Sequence, residues 1–278
     1  MRIHLGGSSR QSLVIARGKL DAAVKGATAA NASELSSQLF FAADVLSKNT
    51  SIRRAFADPS RDAASKGALV KDLFAKSLAA SALEILTDVS TLRWSAAGDL
   101  VHVLEQLAIE AEASAANLNN ELDRVEDEFF ETSRLVADNF ELRKALVSVG
   151  STDAKSALIA EVLGKKASSS TTKLASALVA HLRGRSIEAA FADYLFGLAN
   201  RRNRLIAVVR TATALSDAQT SRLATVLEKK VGQPIRINVQ IDSSILGGVS
   251  IKFADELVDG SVVNRLASAG RALVGQSA

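Results

Sequence analysis

From Asp99 to Val149 the chain contains neither glycine nor proline, and no other property of the sequence restricts its fold as much. Glycine breaks helices through backbone entropy, proline through its missing N–H and the clash of its ring with the preceding turn. An alanine- and leucine-rich run free of both is expected to be helical throughout, and its length predicts a long rod. In its second half Leu118, Leu122, Val125, Phe129, Thr132 and Val136 recur at three- and four-residue steps, while Glu121, Arg124, Glu128 and Glu131 lie largely off that stripe. Such a stripe belongs against the core of a bundle.

The residues before this run read the same way. Leu13, Ala16, Leu20 and Val24 mark an amphipathic helix over 8–25, and further helices are expected at 33–48, 51–57, 61–75 and 78–93. Asp58-Pro59-Ser60 separates two of them, because proline disfavours α geometry in the residue before it yet starts a helix well. Aromatic residues are only 4% of the chain, so the core must be built from Ala, Leu and Val, which suits closely packed helices.

The chain also repeats itself. "NTSIRRAF" (49–56) matches "NFELRKAL" (139–146) at an offset of 90 residues, and "SKGALVKDLFAK" (65–76) matches "AKSALIAEVLGK" (154–165) at an offset of 89. Ala/Leu-rich helices align to some degree by composition alone, but this match spans two helices and keeps the loop between them. The expected organisation is a helical bundle over 1–104, a second, repeat-like bundle over 105–202 sharing a long helix with the first, and a small domain over 203–278.

After Asn200 the pattern changes. Residues 204–214 are rich in β-branched side chains and read as a strand. Ser216 and Gln219 have capping-box spacing at the start of a helix running to about Val231. Ile235, Ile237, Val239 and Ile241 alternate with polar residues as on a half-exposed strand. Gly247-Gly248 is expected to turn the chain into a strand at "VSIKF", and Asp259-Gly260-Ser261 to lead into a terminal helix. The tail thus reads as β-α-β-β-α. The fold class is mainly α: a duplicated helical bundle followed by a small α/β C-terminal domain.

Little in the sequence points to chemistry. There is no cysteine, which removes disulfides, thiolate nucleophiles and soft metal sites. No stretch has the length and hydropathy of a membrane span or signal peptide, so a soluble chain is expected. The formal charge of +4 reflects a nearly even mixture of 34 basic and 30 acidic residues, too even to imply a polyanionic partner. His4, His102 and His181 stand in no metal-ligand spacing and are expected to be structural or at the surface.

Local motifs are no richer. "VGSTDAKSALI" lacks the glycines of a phosphate loop, having Val149 and Ala154 instead. Gly6-Gly7-Ser8-Ser9-Arg10 lacks the final glycine of a nucleophile elbow and reads as a mobile lead-in and helix cap. The acidic group Asp123, Glu126, Asp127 and Glu128 reads as a solvated helix face. Arg183, Arg185, Arg201, Arg202 and Arg204, without interleaved aromatics, read as surface and helix-end charge rather than a nucleic-acid groove. No cofactor, metal or catalytic residue is expected.

The tail "INVQIDSSILGGVSIKFADELVDGSVVNRLASAGRAL" resembles the C-terminal signature of the delta subunit of F-type ATP synthase, the bacterial counterpart of the oligomycin-sensitivity-conferring protein. The matching residues are Asp242 after a hydrophobic strand, Leu246-Gly247-Gly248, Asp259-Gly260-Ser261, and Arg265-Leu266 one turn later. "SRQSLVIARGKLDAA" is similar to the family's first helix. Ordinary members are shorter, and the extra repeat, as in enlarged actinobacterial-type forms, accounts for the difference.

The resemblance implies a non-catalytic linker of the peripheral stalk that resists rotational torque. Its bundle would grip N-terminal helices of the alpha subunits of the catalytic head, and its C-terminal domain the b-type stalk subunit. It would sit at the cytoplasmic face of the cell membrane, attached only through partners. The candidate head contacts are Val14 and Ile15, which fall outside the stripe of the first helix, and the segment from Leu83 to Val89. Two other readings stay open: a helical-repeat adaptor for nucleic acid or a regulatory protein, and an enzyme working through the backbone amides of Gly247-Gly248.

Overall fold

The computed structural model describes residues 5–201, 205–231, 235–242, 248–253 and 256–261. The chain divides into two compact units, Met1–Leu198 and Ala199–Ala278. In the first lie α1 (Gly7–Val24), α2 (Ala29–Lys48), α3 (Thr50–Ala57), α4 (Ala63–Phe74), α5 (Ala80–Thr91), α6 (Ala97–Leu118), α7 (Leu122–Asp138), α8 (Phe140–Val147), α9 (Thr152–Leu163) and α10 (Ser169–Ala180); α11 (Ile187–Arg201) ends the helical region. The five helices expected before residue 97 are all present.

The expected rod is broken. Asn120 takes a φ of 58°, the left-handed geometry that ends many helices and that asparagine tolerates better than other side chains. The Glu121 amide donates to the Ala116 carbonyl at 2.8 Å and the Asn120 amide to that of Asn117 at 3.1 Å. These are the paired bonds of a Schellman stop, made without glycine. The stripe is consequently continuous only within α7, where Leu122, Val125, Phe129, Thr132 and Val136 are buried. Leu118, at the end of α6, is exposed.

The repeat is visible in three dimensions. α3 and α8 have 8 residues each, and α4, α5, α9 and α10 have 12 each. A tertiary contact recurs as well: the Gln38 side chain on α2 accepts the Ala79 amide before α5 at 2.8 Å, and Glu128 on α7 accepts the Ser168 amide before α10 at 2.7 Å. In each case a side chain from the second helix of the repeat supplies an acceptor that the next helix N-terminus lacks.

α6 runs across residues 104 and 105 and packs against α1, α2 and α3 as well as α7 and α10. It is buried on nearly every face because both repeats use it. One continuous apolar cluster extends from Ala16 to Leu198. Its densest aromatic contacts join α7 to α11, where Phe129 lies 5.2 Å from Phe191 and stacks on Tyr194 at 5.9 Å.

Among the described residues of the second unit, β1 (Leu205–Thr211), β2 (Ile235–Ile241), β3 (Gly248–Phe253) and β4 (Glu256–Ser261) form a sheet of order β2-β1-β3-β4, joined by α12 (Asp217–Val231). β1 pairs in parallel with β2 through the α12 crossover and antiparallel with β3. The capping box is present: the Gln219 amide donates to the Ser216 hydroxyl at 3.3 Å, and the Ser216 amide to the Gln219 side chain at 2.9 Å. Val209, Leu227, Ile235 and Ile251 form the small core.

The structure adds a strand that the sequence did not announce: Asp259, Gly260 and Ser261 pair with Ser250, Val249 and Gly248 as the end of β4. A ladder partner in β3 overrides the local turn preference of Asp-Gly-Ser. The expected terminal helix lies outside the described residues.

Candidate functional site

α1 is fixed along one side by polar contacts that its sequence does not advertise. The Ser9 hydroxyl donates to Asp99 at 2.6 Å and accepts the Ser95 amide at 2.8 Å, while the Ser12 hydroxyl donates to the Arg93 carbonyl at 2.6 Å. The entry to α1 is therefore packed structure, not a mobile lead-in. A Cβ at Gly6 would meet the Ser95 hydroxyl at 2.4 Å, so only glycine fits there. One turn further on, Arg17 makes paired bonds to Glu110 at 2.9 and 2.7 Å.

This bracing leaves Val14 67% and Ile15 46% exposed on the outer side of α1. Beside them Lys19 bridges to Asp88 on α5 at 2.8 Å, and the hydrogen bond it donates to Asp88 raises the lysine pKa. The pair is largely solvated, so its contribution to stability is small. Leu83 is half-buried and packs against the core. Val89 is 0% exposed, which corrects its choice as a contact: a side chain with no accessible surface cannot meet a partner without opening the bundle.

Three glutamates on α6 are buried: Glu105, Glu110 and Glu112. Each is met by a cation from another element, as buried charge requires. Besides the Arg17 pair to Glu110, Lys173 on α10 reaches Glu112 at 2.7 Å, and the Ser170 hydroxyl donates to Glu112 at 2.7 Å. Glu105 takes Arg183 at 2.6 Å and Arg185 at 2.9 Å, and accepts the Tyr194 hydroxyl at 3.1 Å. Arg185 also pairs with Asp193 at 3.1 Å.

Arg183 and Arg185 are thus buried ion-pair partners, a correction to the surface role expected for them. The Arg183 contact is coulombic, since its guanidinium N–H groups are not aligned on an acceptor. Arg202 and Arg204 lie outside the described residues. The acidic group on α7 is corrected in part. Glu126 is buried, and Glu128 accepts from Ser168, Thr171 and Arg124. Burial opposes its ionisation, but those hydrogen bonds together outweigh it and hold its pKa low. The hint missed in the sequence was single glutamates interrupting an otherwise apolar helix, "LVHVLEQLAIEAEASAA".

His102 and His181 are partly buried, and burial chiefly lowers both pKa values from 6.5; Glu105 and Asp44 respectively pull the other way. An unfolded chain then binds protons that the folded chain refuses, so stability held above pH 6.5 is lost on acidification. We expect the melting temperature to fall by a few degrees between about pH 7.5 and pH 5, and less in a His102→Gln/His181→Gln variant. An equal fall in both would contradict this origin.

Of the C-terminal signature, the Asp242 amide donates to the Thr211 carbonyl at 2.9 Å and so extends the β1–β2 ladder. Gly248 opens β3 and Asp259, Gly260 and Ser261 close β4. Leu246, Gly247, Arg265 and Leu266 lie outside the described residues. Among the described residues no three His, Asp or Glu side chains are gathered to hold a metal ion, and no helix is long and apolar enough to cross a membrane.

A family model described as ATP synthase delta (OSCP) subunit matches residues 109–273. The ATP synthase subunit delta of Streptomyces coelicolor is 38% identical over 268 residues, covering 96% of this chain and 97% of its own length. That of Thermobifida fusca is 37% identical, with 97% and 99% covered, and that of Streptomyces griseus subsp. griseus 36% identical, with 98% and 100% covered. The chain belongs to the ATP synthase delta (OSCP) subunit family. The family match begins within α6, so it aligns with the second repeat and the C-terminal unit, and the relatives share the enlarged length.

Proposed function

We propose that this chain is a non-catalytic stator subunit in the peripheral stalk of an F-type proton-translocating ATP synthase. Its bundle grips amphipathic N-terminal helices of the alpha subunits of the catalytic head, and its C-terminal unit holds the b-type stalk subunit. It acts peripherally at the cytoplasmic face of the cell membrane, held there by its partners. The observation that carries the reading is the outward apolar pair Val14 and Ile15 on a helix whose opposite side is anchored through Ser9, Ser12 and Arg17. A partner helix laying its apolar stripe there completes the bundle.

The task is mechanical. Rotation of a central shaft puts torque on the head, and a linker that resists it needs rigid, well-packed contacts rather than reactive groups. The ion pairs that join α6 to α1, α10 and the segment before α11 support such rigidity. Burial of Arg183 and Arg185 also removes two of the cations on which a nucleic-acid reading would rely. The decisive experiment is copurification with the head, followed by deletion of residues 204–278 in the complex. Loss of coupling between proton flow and ATP synthesis is expected; normal coupling after that deletion would overturn the stalk assignment.

A further inference from the structure

Two arginines of the loop between α10 and α11 share one buried carboxylate. Arg183 and Arg185 both turn to Glu105 on α6, their side chains only 7% and 11% exposed. Arg183 does so in a left-handed conformation, φ 51°, and Gly184 follows at 77°. A long side chain is uncommon in that region and persists only where its surroundings hold it. The guanidinium nitrogens of Arg183 have no aligned acceptor, so the loop is pinned chiefly by charge. Arg185 ties it onward to Asp193 on α11, and the Ser186 hydroxyl accepts the Ala189 amide at 3.2 Å.

Both partly buried histidines adjoin this cluster. His181 begins the loop, its Nδ1 3.1 Å from Asp44 on α2, and Asp44 is already bridged by Lys48 at 2.8 Å. His102 stands on α6 one turn before Glu105, and its Nδ1 is buried with no hydrogen-bond partner among the described residues. The charges facing His102 are Glu105 and Asp99 of its own helix and Arg183 and Arg185 of the loop. Those facing His181 are Asp44 and Lys48 of α2, Arg183 of the loop and Glu105 of α6. Burial disfavours a proton on either imidazole, and Arg183 adds to that on both.

We infer that the 181–186 loop is an acid-released latch, closed on Glu105 while His102 and His181 are neutral and opened when they take up protons. Closed, each imidazole has to carry its charge partly buried beside Arg183; open, it carries it in water. Opening therefore binds protons, and its equilibrium constant rises as pH falls through 6.5, by up to about tenfold per histidine between pH 7.5 and pH 5.5. Asp193 works the other way: burial raises its pKa, so it holds a proton more readily in the closed form. Release loosens the start of α11, the helix from which the chain passes into the second unit. The latch is a property of the first unit and does not depend on the stator reading; within that reading it makes the linker stiff at neutral pH and more compliant in an acidified cytoplasm.

The test is hydrogen exchange of the full-length chain, read by mass spectrometry as protection factors so that the pH dependence of intrinsic exchange is removed. The His181, Arg185, Ala189 and Ala190 amides are hydrogen-bonded and report on the loop. Between pH 7.5 and pH 5.5 their protection should fall by about tenfold or more, and in His102→Gln/His181→Gln by less than about threefold. Their protection should also stay below that of residues 35–46 in α2 and be indifferent to low urea, the mark of a local opening. Protection equal to that of α2 at both pH values means that the loop opens only with the whole bundle, and an equal fall in parent and variant means that other groups drive it; either overturns the inference. Proton NMR of the unsubstituted chain is an independent check: both imidazoles should titrate below pH 6.5, and a midpoint at or above 6.5 for both overturns the latch whatever the variant does.

Discussion

Glu105→Ala destabilises the protein by about 3–5 kcal/mol, measured by denaturant unfolding. The residue is 1% exposed, and its removal leaves Arg183 with no counter-ion at salt-bridge distance among the described residues. Arg185 keeps Asp193 as its counter-ion and the Leu182 carbonyl as an acceptor, and the buried Tyr194 hydroxyl loses its acceptor. Breaking one side of a buried pair costs far more than the pair itself contributes, because desolvation of the surviving charge is left uncompensated. Replacing Glu105, Arg183, Arg185 and Asp193 together by apolar residues of similar volume, with Tyr194→Phe so that no buried hydroxyl is orphaned, should therefore recover much of the loss. A single substitution costing under about 1 kcal/mol would show that water or rearrangement satisfies the arginines, and that α6 is not pinned there.

Phe129→Ala lowers stability by about 3–5 kcal/mol, through lost burial and the cavity left between α7 and α11. Its further consequence concerns the other repeat. The chain has one tryptophan, and Trp94 sits in the turn between α5 and α6, its indole N–H donating to the Val89 carbonyl at 3.2 Å. Its fluorescence reports the first repeat, while Phe129 lies in the second. With a single apolar cluster through α6, the fluorescence midpoint should fall by as much as that of helical circular dichroism. If Trp94 unfolds at its original midpoint while helix is lost earlier, the repeats are independent folding units and the shared-core account fails.

The amphipathic helices, the duplication and the β-rich tail were all readable because they rest on local periodicity and chain-neighbour chemistry. Ser216 and Gln219 form their capping box within four residues of each other, and such features survive any arrangement of the rest. The break at Asn119-Asn120 was legible only in hindsight, since asparagine permits a left-handed stop without demanding one. The strand β4 through Asp259-Gly260-Ser261 went unread for the related reason that a turn-forming triplet becomes strand once β3 offers it a ladder. The outward position of Val14 and Ile15 followed from the stripe of α1, whereas Val89 could not be separated from its neighbours without knowing which side of α5 meets the core.

The amino-acid sequence by itself determined the helical texture, the twofold repetition and the family. Each is written in short-range spacing or in residues a few positions apart. Only the tertiary structure decided that Arg183 and Arg185 go inward to Glu105, that Glu128 closes the start of α10, and that α2 reaches across to Lys173 and His181 of the second repeat. Those outcomes depend on which faces meet across separations of 40 residues and more, and on desolvation. A charge left exposed costs nothing, whereas the same charge enclosed must find a partner that only the packed fold can place beside it.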